Sequence, residues 1–293
     1  MIFAIPFPNI RPEIFSLEIG EFTFALRWYA LAYLGGFLIA WLLLASMFRR
    51  SQLWPEGKPP MATSQLDSLA TWMILGVVLG GRIGYALIYS PRYFFENPLE
   101  LLKVWMGGMS FHGGMLGVVV FGFLFCRFNR LSVISLADAV AITVPWALFL
   151  GRIANFINGE LWGRATDVPW AVVFPGAVGF DCASPCPRHP SQIYEALLEG
   201  LLLGLVLAWL AYRRGWLKKP GQITGVFAAG YGAARTFVEY FRLPDSQFAT
   251  VENPIGFAIA FSETAGITMG QLLSLPMLAA GLVIIVWARR RNP

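Results

Sequence analysis

Three side chains near the end of one apolar run, Arg235, Glu239 and Arg242, are spaced i, i+4 and i+7 and would share one helical face. A carboxylate between two guanidiniums stays ionised and holds both cations in place. Two or three such forks aimed into one cavity suit a phosphate, because their planar donors match its oxygens in pairs. Comparable groups recur at the ends of other apolar runs. Arg27 and Tyr29 stand at the start of the first, Arg82 and Tyr85 in the later half of the second, and His112 at the start of the third. Arg152, Asn155, Asn158 and Glu160 follow the fourth, and Glu195 opens the fifth. An ionised group in hydrocarbon costs about 2.5 kcal/mol or more, so each needs a reason. Any one pair reads equally well as a structural ion pair. Six runs contributing at one level read as a polar cavity, and in a bilayer the phosphate at hand is a phospholipid headgroup.

His112 lies in Gly107-Gly108-Met109-Ser110-Phe111-His112-Gly113-Gly114. An imidazole there can move a proton near neutral pH; the alternative is a buried histidine bonded to a carbonyl. The second histidine, His189, is placed to pair with Glu195 or to form another polar wall. Cys182 and Cys186 read as a disulfide on an oxidising side of the membrane. With His189 they also imitate part of a zinc site, but a fourth ligand is missing and no metal is expected. Cys126 reads as packing. No His-Glu-x-x-His, Gly-x-Ser-x-Gly or P-loop pattern is present.

The elements that must carry these groups are membrane spans. The 293 residues are 57% hydrophobic and only 13% charged, about half the charge of an ordinary soluble domain. The apolar residues fall in seven runs, at about 25–47, 67–90, 108–126, 132–151, 192–212, 223–241 and 270–288. Each is close to the roughly 20 residues that a helix needs to cross a bilayer. The expected fold is therefore an all-α polytopic transmembrane bundle, one domain over 1–293, with an outer loop at about 152–191. The first 21 residues carry charges and prolines and no apolar core, so the first span reads as an uncleaved anchor. Gly76, Gly80 and Gly84, four apart, form a small-residue stripe that reads as helix packing. Twelve of the 22 Lys and Arg, including Arg49, Arg50, Arg213, Arg214 and Arg289 to Arg291, fall on one side. The positive-inside rule then puts the N-terminus outside and the C-terminus in the cytoplasm, with the polar groups in the outward half. The net charge of +5 reads as this topology signal. No nucleic-acid partner is expected.

The stretch Gly151-Arg152-Ile153-Ala154-Asn155-Phe156-Ile157-Asn158-Gly159-Glu160-Leu161-Trp162-Gly163 resembles the signature of prolipoprotein diacylglyceryl transferases, Gly-Arg-x-x-Asn-Phe-x-Asn-x-Glu-x-x-Gly, at every fixed position. Arg27-Trp28-Tyr29, Gly80-Gly81-Arg82-Ile83-Gly84-Tyr85, Ser110-Phe111-His112-Gly113-Gly114, His189-Pro190-Ser191-Gln192-Ile193-Tyr194-Glu195 and Arg235-Thr236-Phe237-Val238-Glu239-Tyr240-Phe241-Arg242 are similar to further family blocks, in the same order. The resemblance spans nearly the whole chain and departs from it at no position the family uses. The Cys182 to Cys186 loop inherits no role from it.

The resemblance implies an enzyme of the bacterial cytoplasmic (inner) membrane, with its active site toward the periplasmic or outer leaflet. Such an enzyme moves the diacylglyceryl group of phosphatidylglycerol to the lipobox cysteine of a prolipoprotein, the first step of lipoprotein maturation. A thioether forms and glycerol phosphate leaves. The expected partners are phosphatidylglycerol, the lipobox segment and membrane lipids. The nucleophile comes with the substrate and no cofactor is implied. By resemblance and chemistry, Arg152 and Arg235 would bind the phosphate, with Glu239 and Glu160 fixing them or the glycerol hydroxyls. His112 would be the base, Tyr29, Arg82, Asn155, Asn158 and Arg242 would line the site, and Gly163 would permit close packing. The alternative is a phospholipid or small-anion transporter. That reading predicts polar residues through the inner half, which holds little beyond Asp67 and Asp138.

Overall fold

The computed structural model describes residues 4–20, 22–178, 181–182, 184–244, 248–249, 253, 255–262 and 265–291. In chain order the elements are β1 (Ile5–Pro6), β2 (Glu13–Ile19), β3 (Phe22–Arg27), α1 (Trp28–Phe48), α2 (Leu66–Ile88), α3 (Pro91–Glu96), α4 (Phe111–Asn129) and α5 (Val133–Ile157). Next come β4 (Val172–Val173), β5 (Pro187–Arg188), α6 (Ser191–Glu195), a π-helical stretch at Ala196–Leu202, α7 (Leu203–Tyr212) and α8 (Gln222–Val238). The hairpin of β6 (Phe257–Ala260) and β7 (Gly266–Thr268) leads into α9 (Met269–Arg291).

Among the described residues, six helical stretches are long and apolar enough to cross a membrane: α1, α2, α4, α5, the run from α6 through α7, and α9. The chain is a multi-pass membrane protein. The seventh expected span is α8, which is helical but only 17 residues long. At 1.5 Å per residue it reaches about 26 Å, just short of the hydrocarbon thickness. Two boundaries differ informatively from the expected ones. Residues 25–27 belong to strand β3 and not to the first span. Helix α5 continues to Ile157, so Arg152 and Asn155 stand on a helix and not in the outer loop. Among the described residues, three small sheets, β1-β4-β5, β2-β3 and β6-β7, are added to the all-α plan.

The chain divides into two compact units, Met1–Leu43 with Asp138–Pro293, and Leu44–Ala137. In the second, α2 and α4 meet along a glycine seam. A Cβ on Gly76 would stand 2.7 Å from the Gly117 carbonyl oxygen, and one on Gly84 2.6 Å from Gly113 Cα. A Cβ on Gly80 would overlap the Gly113 carbonyl oxygen. The stripe is thus a packing surface, where missing side chains let two backbones touch. Buried Trp54 of this unit donates its indole N–H to the Met47 carbonyl at 3.0 Å.

In the first unit, small residues again set the approach of helices. Cβ atoms on Gly35 and Gly36 of α1 would lie 3.2 Å from Leu150 Cδ1 and 3.0 Å from Ala147 Cβ on α5. The same test brings Gly200 to 2.6 Å from Phe149 Cβ and Gly204 to 3.1 Å from Trp146. Both registers run antiparallel, as one number rises while its partner falls. Gly232 of α8 would meet Leu278 N of α9 at 2.7 Å. Asp138, on α5, is fully buried and ties α8 down at its start. Its carboxylate accepts from Gly221 N (2.6 Å), Thr224 N (2.7 Å) and Thr224 Oγ1 (2.6 Å). Those amides belong to the first turn of α8 or precede it and have no intrahelical acceptor, so a buried carboxylate there is satisfied.

Candidate active site

The antiparallel registers in the first unit bring one set of helix ends together: the start of α1, the end of α5, the α6 turn and the end of α8. The ionised groups of the last three form one network around Glu195. This carboxylate is fully buried. Its Oε2 lies 3.2 Å from Arg152 Nε, and its Oε1 lies 3.3 Å from Arg235 Nη1 and 2.8 Å from Arg242 Nη1. Three arginines from two helices and the turn beyond α8 therefore converge on one carboxylate. Glu239 closes the ring, with Oε2 at 2.9 Å from Arg235 Nη1 and 3.8 Å from Arg242 Nε. The three arginine side chains remain 13–18% exposed, while Glu195 has no exposure. The carboxylates lie behind and the guanidinium edges in front, which suits an anion arriving from outside the cluster.

A further carboxylate, Glu199, belongs to the π-helical stretch and is fully buried. Its Oε2 lies 3.8 Å from Arg152 Nη2, and neither oxygen accepts a hydrogen bond among the described residues. The wider π turn places it beside Arg152 one turn after Glu195, and such turns concentrate at functional sites.

Beyond α5 the chain turns sharply. Gly159 takes φ +65°, Glu160 N bonds back to Asn155 O at 3.1 Å, and Leu161 takes φ +59°. The turn aims Glu160 at its own helix end, where its Oε1 accepts from Asn155 Nδ2 at 2.8 Å and Asn158 Nδ2 at 3.3 Å. Gln192 Nε2 donates to the Glu160 carbonyl at 2.6 Å and Ser191 Oγ to the Leu161 carbonyl at 3.0 Å. Gly163 then passes through a gap with no room for a side chain. A Cβ there would overlap the Phe241 carbonyl oxygen and stand 2.7 Å from His189 O. Tyr29, at the start of α1, bonds Tyr33 at 3.0 Å and is in electrostatic reach of Glu160 and Arg152.

The segment after this turn has a small core of its own, in which Phe174, Val172 and Ala177 pack with Phe7, Phe156 and Trp162. Arg188 is fully buried within it, stacked 4.5 Å over the Trp162 ring. It donates to both oxygens of Asp181, at 2.9 and 2.7 Å. Burial opposes the charge on Asp181. The Arg188 bonds and the Ala165 amide outweigh burial and hold its carboxyl below the usual range. Cys182 and Cys186 form a disulfide in the same loop, so both sulfurs are spent. His189 pairs with the Tyr194 hydroxyl at 3.1 Å, not with Glu195, whose oxygens are taken by arginines. Trp170 Nε1 donates to that hydroxyl at 2.7 Å, which leaves the phenolic hydrogen for His189 Nδ1. Burial lowers the His189 pKa and favours its neutral form.

A family model described as prolipoprotein diacylglyceryl transferase matches residues 14–287. The chain is 56% identical over 289 residues to the phosphatidylglycerol–prolipoprotein diacylglyceryl transferase of Ruegeria pomeroyi, covering 98% of each chain. It is 54% identical over 289 residues to the protein of that name from Roseobacter denitrificans, again with 98% of each covered. Against the one from Rhodospirillum rubrum it is 50% identical over 294 residues, 100% of this chain and 97% of the other. The chain belongs to the prolipoprotein diacylglyceryl transferase family.

This diacylglyceryl transferase family member is an enzyme, and its polar network occupies the stretch whose motifs first suggested the family. Of the residues read from the sequence, Tyr29, Arg152, Asn155, Asn158, Glu160, Gly163, Arg235, Glu239 and Arg242 fall in the first unit. Arg82 and His112 belong to the second. His112 is exposed at the second position of α4, which departs from the buried-histidine reading. Arg82 is buried, and its guanidinium donates to four backbone carbonyls: Glu100 (2.6 Å), Leu101 (3.1 Å), Gly107 (2.5 Å) and Gly108 (3.2 Å). Its side chain thus holds the connection between α3 and α4. Glu195, read from the sequence as a polar group opening the fifth run with His189 as one of two alternatives beside it, holds three arginines instead. Glu199 was overlooked, although an acidic residue inside Ala196-Leu197-Leu198-Glu199-Gly200-Leu201, four after Glu195, was a sufficient signal.

Proposed function

We propose that this chain transfers the diacylglyceryl group of phosphatidylglycerol to the thiol of a prolipoprotein lipobox cysteine. The substrate thiolate attacks the glyceryl carbon that carries the phosphate ester. A carbon–sulfur bond forms, the carbon–oxygen bond breaks, and its electron pair leaves on the oxygen of glycerol phosphate. The chemistry asks two things of the protein: a deprotonated thiol, and stabilised negative charge on the departing phosphate. The convergence of Arg152, Arg235 and Arg242 on Glu195 is the observation that carries the reading.

Arg152 and Arg235 bind the phosphate with their outer donors, and Arg242 adds charge beside them. Glu195 and Glu239 hold the guanidiniums at fixed spacing, so little reorganisation is needed when phosphate arrives or departs. Glu160, fixed by Asn155 and Asn158, accepts from the glycerol hydroxyls, with Tyr29 lining the same end. His112 takes the thiol proton. A lipobox thiol with pKa about 8.5 is already partly ionised near neutral pH, so this step adds less than the phosphate clamp. Arg82 acts indirectly, by bracing the connection before α4, and Gly163 lets the signature turn seat against Phe241 and His189.

The enzyme sits in the bacterial inner membrane with its N-terminus outside, its C-terminus in the cytoplasm and its site at the outer leaflet. Transport would instead need polar groups through the inner half. Asp138, the buried carboxylate there, spends both oxygens on α8.

The test is transfer in detergent micelles from phosphatidylglycerol to a lipobox peptide, with a Ser-for-Cys peptide as control. A mass gain of one diacylglyceryl group on the Cys peptide alone, with glycerol phosphate released, is expected. Folded protein that binds phosphatidylglycerol and yields no such product would overturn the reading. Arg152→Ala and Arg235→Ala are each expected to lower transfer by at least about 100-fold, the scale of losing one charge-stabilising donor.

A further inference from the structure

Glu239 is held from two sides. Its Oε2 faces Arg235 and Arg242, and its Oε1 accepts a hydrogen bond from Thr268 Oγ1 at 3.1 Å. Thr268 ends β7 and is buried, as is Gln271 three residues on. The two form a reciprocal cap at the start of α9: Gln271 N donates to Thr268 Oγ1 at 3.3 Å, and Thr268 N donates to Gln271 Oε1 at 3.2 Å. The Thr268 hydroxyl therefore does two separate things. A lone pair caps the helix, and its proton is committed to Glu239. Gly270 completes the seat, since a Cβ at that position would overlap the Glu239 carboxylate carbon and both its oxygens.

We propose that Thr268 and Gly270, at the junction of β7 and α9, are positioning residues for transfer: they set the rotation of the Glu239 carboxylate and through it the orientation of Arg235. This rests on the phosphate-clamp reading above. A carboxylate has two equivalent oxygens and turns freely about its last bond unless each has its own partner. With Oε1 anchored by Thr268 and no side chain at 270, Oε2 is the oxygen presented to the arginines. Without the hydroxyl proton, Oε1 is a buried acceptor with no partner, and the group turns toward the guanidiniums and draws their donors inward.

Helix capping and carboxylate positioning can be separated. Thr268→Val removes both functions, Thr268→Ser keeps both, and Gln271→Ala removes only part of the cap. Transfer kinetics, phosphatidylglycerol binding and Tm are measured for wild type and these variants in detergent. The expected result is a KM and Kd for phosphatidylglycerol raised about tenfold in Thr268→Val and in Gly270→Ala, the scale of one hydrogen bond to a charged group. Thr268→Ser stays within about twofold of wild type, and Gln271→Ala lowers Tm while leaving KM and Kd in place. Equal Tm losses in Thr268→Val and Gln271→Ala, with KM and Kd unmoved in both, reduce Thr268 to a helix cap and overturn the inference. Should Thr268→Val fail to fold, Thr268→Ala, which likewise has neither the capping oxygen nor the hydroxyl proton, carries the same comparison against Gln271→Ala. Absence of transfer by wild type counts against the proposed function itself; transfer by wild type with unmoved KM and Kd in the variants counts against this inference alone.

Discussion

Glu195 Oε1 and Arg242 Nη1 stand 2.8 Å apart although 47 positions separate them in the chain. The contact joins the start of one membrane span to the turn beyond α8, and it adds a third cation to a carboxylate that already holds Arg152 and Arg235. A buried carboxylate shared by three guanidiniums is stabilising only as a set, because removing the anion leaves like charges facing each other in a low-dielectric site.

Glu195→Gln is therefore expected to destabilise the protein by about 3–5 kcal/mol, the usual loss on breaking a buried charge pair, and to abolish measurable transfer. Glu199→Gln, whose carboxylate pairs among the described residues with Arg152 alone and at 3.8 Å, should cost much less. Thermal unfolding of both variants in detergent decides this; equal losses would mean that Glu195 is not the hub.

Gly163→Ala forces a methyl group into the Phe241 and His189 backbones. Overpacking of this kind costs about 1–3 kcal/mol. The displaced turn carries Glu160, so transfer should fall at least about tenfold. A Gly163→Ala enzyme with unchanged kcat/KM and Tm would show that the gap closes without consequence.

Arg82→Lys replaces a fork that reaches four carbonyls with a point charge bearing three donors. At least one of those carbonyls loses its partner, for a cost of about 1–3 kcal/mol. The connection at residues 98–108 should become more susceptible to limited proteolysis while phosphatidylglycerol affinity changes little. Weakened lipid binding with an unaltered digestion pattern would instead make Arg82 a substrate contact.

Asp181 supplies a pH dependence outside the membrane spans. Its folded pKa is depressed, so its ion pair with Arg188 contributes fully above the ordinary aspartate value of about 3.9. That contribution is lost as pH falls below this value and through the lower folded one. Wild type should lose stability over that window more steeply than Asp181→Asn, which should be less stable at neutral pH. Parallel acid-unfolding curves for the two proteins would exclude the pair as the cause.

Much of this was legible along the chain. Apolar runs of about twenty residues can only be helices in hydrocarbon, since no water is present to satisfy an open backbone. Six such helices, the helical α8 and the α2–α4 glycine seam follow from that rule and from the absence of Cβ atoms at four-residue spacing. The spacing of Arg235 and Glu239 likewise made them neighbours, because side chains four apart are adjacent on a helix of 3.6-residue period; Arg242, expected on the same helical face, joins them instead from the turn beyond α8, which ends at Val238. The partner of Glu195, the direction in which Arg82 spends its donors, the entry of Glu199 through a π turn and the Thr268 hydrogen bond to Glu239 lie beyond such periodicity. Each depends on which helices pack together and in what register. That choice is made by close approach at scattered small residues such as Gly36, Gly200 and Gly232, and local spacing does not encode which surface each of them will meet.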